Sequence, residues 1–129
     1  MDTGSSWTWV KACDKDQDPY WQSNKCPENF FDMAMSPSLD CYDEKINIRY
    51  GSGQVHGPIC KDFLKVFNTD DMRVVMPFIV SKQSRASDFA WAYDGIMGFS
   101  PHDDSSGPLY IDYLYRDSKI QQKMFSILP

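Results

Sequence analysis

Asp2-Thr3-Gly4-Ser5-Ser6-Trp7-Thr8-Trp9-Val10 places a carboxylate before a run of small and hydroxyl-bearing residues and then a bulky apolar stretch. Gly4 has no Cβ, so the backbone can turn tightly there and approach a neighbouring group closely. The hydroxyls of Thr3 and Ser5 can hydrogen-bond locally. Trp7, Trp9 and Val10 suit a strand, and a period of two puts Trp7 and Trp9 on one face. The stretch therefore predicts an aspartate held on a tight loop that leads into a buried strand. A carboxylate fixed by several donors stays ionised and can serve as a general base. Asp-Thr-Gly by itself is equally an ordinary loop, because a three-residue match arises by chance.

The longer pattern Asp2-Thr3-Gly4-Ser5-Ser6-x-x-Trp9-Val10 resembles the first active-site motif of the pepsin-like aspartic proteases. The resemblance implies that Asp2 is one of two catalytic aspartates and that Thr3, Gly4, Ser5 and Trp9 support it. Two later stretches match the same family in order. In the first, Ile46, Ile48 and Tyr50 alternate with polar Asn47 and Arg49, which reads as a half-buried strand. Gly51-Ser52-Gly53 turns the chain, and Gln54 to Ile59 can return antiparallel. This 45–60 hairpin looks like the family's flap. Tyr50 is then the flap tyrosine, hydrogen-bonded to Trp9, and Gly51 and Ser52 offer bonds to an extended substrate. A glycine-bracketed hairpin tip also suits a lid on physical grounds.

The second match, Asp94-Gly95-Ile96-Met97-Gly98, is similar to the family's Asp-Gly-[Ile/Val]-[Leu/Met]-Gly element. In the family this element passes behind the active-site loop, and its glycines allow a close backbone crossing. Ile96 is expected to line a substrate pocket. Asp94 is not read as a second catalytic aspartate, because it precedes Gly95 directly with no Thr or Ser between.

Elsewhere the pattern predicts strands at 63–67 and 74–80 with a polar turn at 68–73, the second buried on both faces. Residues 27–40 read as irregular chain with apolar anchors. Gly107-Pro108 is expected to open a helix carrying Leu109, Tyr113 and Leu114. A short helical turn at 120–123 is expected to lead into a last strand at 124–128. The expected fold class is all-β: one lobe of the pepsin-like acid protease β-barrel fold, N-terminally truncated, with a short helical region near the C-terminus. Residues 1–129 read as a partial N-terminal lobe with the active-site loop at 2–10, the flap at 45–60 and the C-terminal lobe absent.

A chain of 129 residues suffices for one modest core, and 42% hydrophobic with 15% aromatic content fits a folded globule. The net charge of −5 and the lack of a basic cluster argue against nucleic acid or an anionic membrane as partner. No apolar run is long enough to be a membrane segment. Cys13, Cys26, Cys41 and Cys60 form no Cys-x-x-Cys pair, so neither a zinc site nor any other metal site is expected, and no cofactor. Four cysteines fit two disulfides and an oxidising compartment, hence the secretory pathway, whether extracellular, lysosomal or vacuolar. Three pairings are open, as are four buried thiols. The preferred pairing is Cys13–Cys26, closing a polar loop, with Cys41–Cys60 across the hairpin arms. Asp14-Lys15-Asp16-Gln17-Asp18 opens like a calcium loop, but Pro19 and Lys25 stand where that loop needs Gly and Glu.

The family mechanism uses two aspartates that share a proton and activate a water against the scissile peptide carbonyl. No second Asp-[Thr/Ser]-Gly occurs in this chain. The main expectation is a fragment of an aspartic endopeptidase acting on protein substrate in extended conformation, inactive alone, with the missing C-terminal lobe supplying the second aspartate. Two alternatives stand beside it. One is a homodimeric, retropepsin-like protease; the other is a non-catalytic peptide-binding or inhibitory domain.

Overall fold

The structure, a computed structural model, describes residues 1–13, 29–51, 53–66, 68–82, 94–101 and 107–128. Its strands are β1 (Trp9–Cys13), β2 (Phe31–Asp32), β3 (Asp40–Tyr50), β4 (Gly53–Leu64), β5 (Val74–Lys82) and β6 (Gly95–Ile96), followed by one helix, α1 (Tyr110–Arg116). They form a single mixed sheet in the order β2-β1-β5-β4-β3, with β6 also paired to β1. β1 runs parallel to β2 and β5, and β5, β4 and β3 are successively antiparallel. Among the described residues the protein is thus mostly strands with one short helix, in keeping with a single pepsin-like lobe.

β5 holds the centre. Its near-continuous apolar run is covered on both faces: Phe78 and Val80 pack with Ala12 and Cys60, while Ile79 points to the other face and meets Trp9 and Val55. Val74 and Met76 extend the core toward α1, against Phe99, Tyr110 and Leu114. The buried Tyr110 hydroxyl donates to the Met72 carbonyl and accepts from the Val66 N–H, which ties the helix to the β4–β5 connection. That connection is a short 3-10 turn, Asp70–Met72, capped by the Thr69 hydroxyl.

Several expectations are corrected. Residues 53–64 are one continuous strand, so the run beginning at Phe63 is the end of β4 and not a separate element. Pro58 does not interrupt β4, because it lies opposite Lys45 at the end of a break in the β3–β4 ladder, where a missing N–H is tolerated. β3 begins at Asp40, and the stretch read as irregular contains β2 and a 3-10 turn at Met33–Met35. The helix starts at Tyr110 with Leu109 as its N-cap, so Pro108 lies outside it. Past Arg116 the helix is closed by a Schellman turn. Ser118 takes a left-handed φ of 57°, its N–H donates to the Tyr115 carbonyl, and the Lys119 N–H donates to the Leu114 carbonyl. Neither a helical turn at 120–123 nor a strand at 124–128 follows. A strand needs a partner edge, and residues 124–128 pair with none of the described strands. Met124, Ile127 and Leu128 stay exposed, and Phe125 packs on Phe99.

One buried charge braces the lobe. Asp62, on β4, accepts from Ser36 Oγ at 2.5 Å, Ser38 Oγ at 2.6 Å and the Phe63 N–H at 2.7 Å, which holds the 36–38 segment against the sheet. Burial works against its ionisation, but these three donors and the nearby Arg73 outweigh it and lower the pKa. A folded pKa below the unfolded one means that the stabilisation is complete above the ordinary aspartate range. It is lost as pH falls through the lowered folded value. Asp62→Asn should therefore lower stability by about 2 kcal/mol near neutral pH. The difference should shrink in strong acid. Urea midpoints of both proteins across pH test this.

Candidate active site

The loop that carries Asp2 is fixed from behind by the segment after β6. The Asp2 N–H donates to the Met97 carbonyl at 2.9 Å, the Phe99 N–H donates to the Asp2 carbonyl at 2.7 Å, and the Ser100 N–H donates to the Ser5 carbonyl at 3.1 Å. Asp2 and Gly98 form an isolated parallel bridge. The backbones can lie this close only because Gly98 lacks a side chain: a Cβ there would stand 2.5 Å from the Ser6 carbonyl carbon. Gly95 faces Trp9 in the same way, with its would-be Cβ at 2.2 Å from the Trp9 carbonyl oxygen. Ser6 adds a tie on the other side, since its Oγ accepts from the Gly107 N–H at 3.1 Å. Sequence reasoning gave Ser6 no role, because nothing in the sequence marks residue 107 as its neighbour.

The Asp2 carboxylate is partly exposed and turned back over its own loop, where Oδ1 accepts from the Gly4 N–H at 2.9 Å. Its pKa lies below the usual carboxylate range. The Ser5 hydroxyl is the largest cause, then the Gly4 N–H, with partial burial opposing them. Thr3 occupies the exposed turn between them.

Above this loop is the β3–β4 hairpin. Tyr50 ends β3 opposite Gly53, with Gly51 in the turn, and Ser52 lies outside the described residues. Ile46, Ile48 and Tyr50 pack with Trp7 and Ile96 on the cluster of Trp9, Val55 and Ile79, so the hairpin leans on the strand that leaves Asp2. Burial raises the pKa of the Tyr50 hydroxyl and keeps it neutral, although the nearby Trp9 and Ser5 side chains pull the other way. Ser5 is thus near both Asp2 and Tyr50 and favours the ionised form of each. A Cβ on Gly51 would meet nothing, so its want of a side chain is not a packing need.

The expected Asp2, Gly4, Ser5, Trp9, Tyr50 and Ile96 are therefore brought together around one loop. Asp94 is outside that group. Its carboxylate is exposed and lies 3.9 Å from the buried Lys11 ammonium. Cys41 and Cys60 are joined by a disulfide. Cys13 is also disulfide-bonded, but its expected partner Cys26 is outside the described residues, as are the acidic residues 14–18. Among the described residues no group of His, Cys, Asp or Glu could hold a metal.

The family model for eukaryotic aspartyl proteases matches residues 1–128. This chain belongs to the eukaryotic aspartyl protease family. Similar proteins include a probable aspartic-type endopeptidase of Arthroderma benhamiae, 30% identical over 131 residues, covering 98% of this chain and 24% of that protein. Pepsin-3 of Oryctolagus cuniculus is 29% identical over 132 residues, with 98% and 32% covered, and pepsin A of Bos taurus is 30% identical over 132 residues, with 98% and 33% covered. This aspartyl protease chain therefore spans about a quarter to a third of the length of these relatives. Within it, the hydroxyl of Ser5 offers a direct check on the site's electrostatics. Ser5→Ala removes the largest cause of the lowered Asp2 pKa, so that pKa should rise toward the ordinary value. The carboxyl resonance of Asp2 followed by NMR across acid pH measures the shift.

Proposed function

We propose that the complete protein carrying this chain is an aspartic-type endopeptidase, with Asp2 as one of its two catalytic carboxylates. The observation that carries this reading is the Asp2 carboxylate itself. It is kept ionised by Ser5 and Gly4, its backbone is tied to Met97 and Phe99, and the hairpin strand that ends in Tyr50 packs on Trp9, on the strand leaving the same loop. The second aspartate comes from outside these residues, in a C-terminal lobe. One carboxylate of such a pair is ionised and the other protonated, because like charges so close cannot both ionise. The ionised oxygen takes a proton from a water as that water attacks the scissile carbonyl carbon. The protonated partner donates to the carbonyl oxygen. The pair titrates as a unit.

The substrate is a protein segment in extended conformation. The flap of residues 45–60 covers it, with Tyr50, Gly51 and Ser52 at the tip and Ile96 in the pocket wall. Thr3, Gly4, Ser5 and Trp9 hold the catalytic loop. The disulfide between Cys41 and Cys60 supports an oxidising setting, whether extracellular, lysosomal or vacuolar.

The test is cleavage of an acid-denatured protein by the complete, purified protein. The expected result is peptide products formed at acidic pH. A binding-only domain would retain peptide and yield none. The flap's part is separable: Tyr50→Ala should lower kcat/KM by about tenfold to a hundredfold, through poorer positioning and closure, and still leave measurable turnover. Steady-state kinetics on a short peptide check this.

A further inference from the structure

We propose that the Cys41–Cys60 disulfide is a redox strap on the flap, and that its reduction by a dithiol frees the base of β3 and weakens the flap's hold on substrate. The strap closes around the entire hairpin tip, since its cysteines are 19 residues apart and the turn at Gly51 lies between them. The ladder beside it is broken. Cys41 pairs with Cys60, but the next pair is Lys45 with Pro58, so Tyr42, Asp43 and Glu44 bulge opposite Ile59 alone. Pro58 brings no N–H to restore the ladder there. Among the described residues β3 is the last strand of its edge of the sheet, and every residue from Asp40 to Lys45 is exposed. Just before this end of β3, Ser36 and Ser38 are held by Asp62 and Leu39 packs on the core; among the described residues, the covalent bond and the Asp40–Lys61 and Cys41–Cys60 pairs tie the strand across to β4 ahead of the bulge.

The two halves of the strap differ. Cys60 is fully buried with Ala12, Phe78 and Val80, on a strand that pairs with β5 continuously from Ile59 to Leu64. Cys41 is the exposed half. Reduction therefore proceeds at Cys41. One thiolate of the dithiol attacks its sulfur and forms a mixed disulfide, and Cys60 leaves as a thiolate and takes up a proton. The second thiol, deprotonated, closes on the first, and Cys41 leaves as a thiolate and is protonated. The protein gains two electrons and two protons, and the dithiol becomes a cyclic disulfide. Because β4 stays anchored on β5, Cys60 keeps its position and the bond re-forms on oxidation. β3 alone loosens, and with it the platform that carries Tyr50 onto the Trp9 cluster.

The effect on catalysis rests on the proposed peptidase activity, whereas the strap itself does not. The experiment is hydrogen exchange by mass spectrometry on the complete protein. It compares the wild type before and after dithiothreitol with a Cys41→Ser/Cys60→Ala double variant, which keeps the disulfide at Cys13. Amides of residues 42–50 should exchange about tenfold faster or more in both the reduced wild type and the variant, with residues 74–82 unchanged. The KM for a peptide substrate should rise several-fold in the same two forms. Unchanged exchange at 42–50 on reduction would overturn the strap. So would loosening that spreads equally into β5, or a double variant that does not fold, since either would make the bond a core brace. Altered exchange in a protein with no peptidase activity would retain the strap and remove the proposed activity.

Discussion

Asp2→Asn should reduce turnover of the complete protein by about four orders of magnitude, the upper range for loss of a general acid–base group. Asn is nearly isosteric with Asp and keeps one carbonyl oxygen, which can still accept from the Gly4 N–H that now bonds to Asp2 Oδ1. The backbone ties to Met97 and Phe99 do not involve the side chain and should persist. The loop thus survives while the ionisable group is lost. An amide cannot hold the negative charge or take a proton from water, so a pair sharing one proton no longer exists. Rates on a peptide substrate at acid pH, with thermal unfolding in parallel, separate lost chemistry from lost folding.

Gly98→Ala should damage both. The new Cβ would lie 2.5 Å from the Ser6 carbonyl carbon, 2.6 Å from its oxygen and 2.7 Å from the Ser5 oxygen. These are backbone atoms, with no flexible side chain to swing aside, so the crossing strands must separate. Overpacking of this kind costs about 3 kcal/mol. The same separation pulls on the Met97 and Phe99 bonds that fix Asp2. A displacement near 1 Å at a reacting group lowers the rate by about a hundredfold. Urea unfolding and kcat/KM together test this, and a variant with wild-type values in both would mean that the 95–98 crossing does not position the site.

Legibility of the fold followed the range of the interactions. The stretch from Asp2 to Val10 carries its own turn chemistry and strand pattern, so the loop and β1 could be read locally. The hairpin was legible from the alternation through Tyr50 and the glycines around its turn. β2 was not, because two residues have no period and are strand only by virtue of the β1 edge beside them. The Met124–Leu128 run failed for the opposite reason: it has the composition of a strand but pairs with no described strand. In the site, Asp2, Tyr50 and Trp9 were marked by motif. Ser6 bonding to Gly107 across 101 positions of sequence, and Asp62 holding Ser36 and Ser38, depend on tertiary contacts that no local pattern encodes.

The claim that Asp2 acts on the reacting atoms is tested most directly by comparing two ligands on the wild type and Asp2→Asn. One is an extended substrate peptide. The other is the same peptide with a tetrahedral hydroxyl-bearing carbon in place of the scissile carbonyl. A group that works in the transition state discriminates between them, and one that only shapes the cleft does not. Asp2→Asn should weaken the tetrahedral ligand by about a hundredfold or more and leave the plain peptide within a few-fold, as titration calorimetry would read it. Equal weakening of both, or of neither, would contradict it.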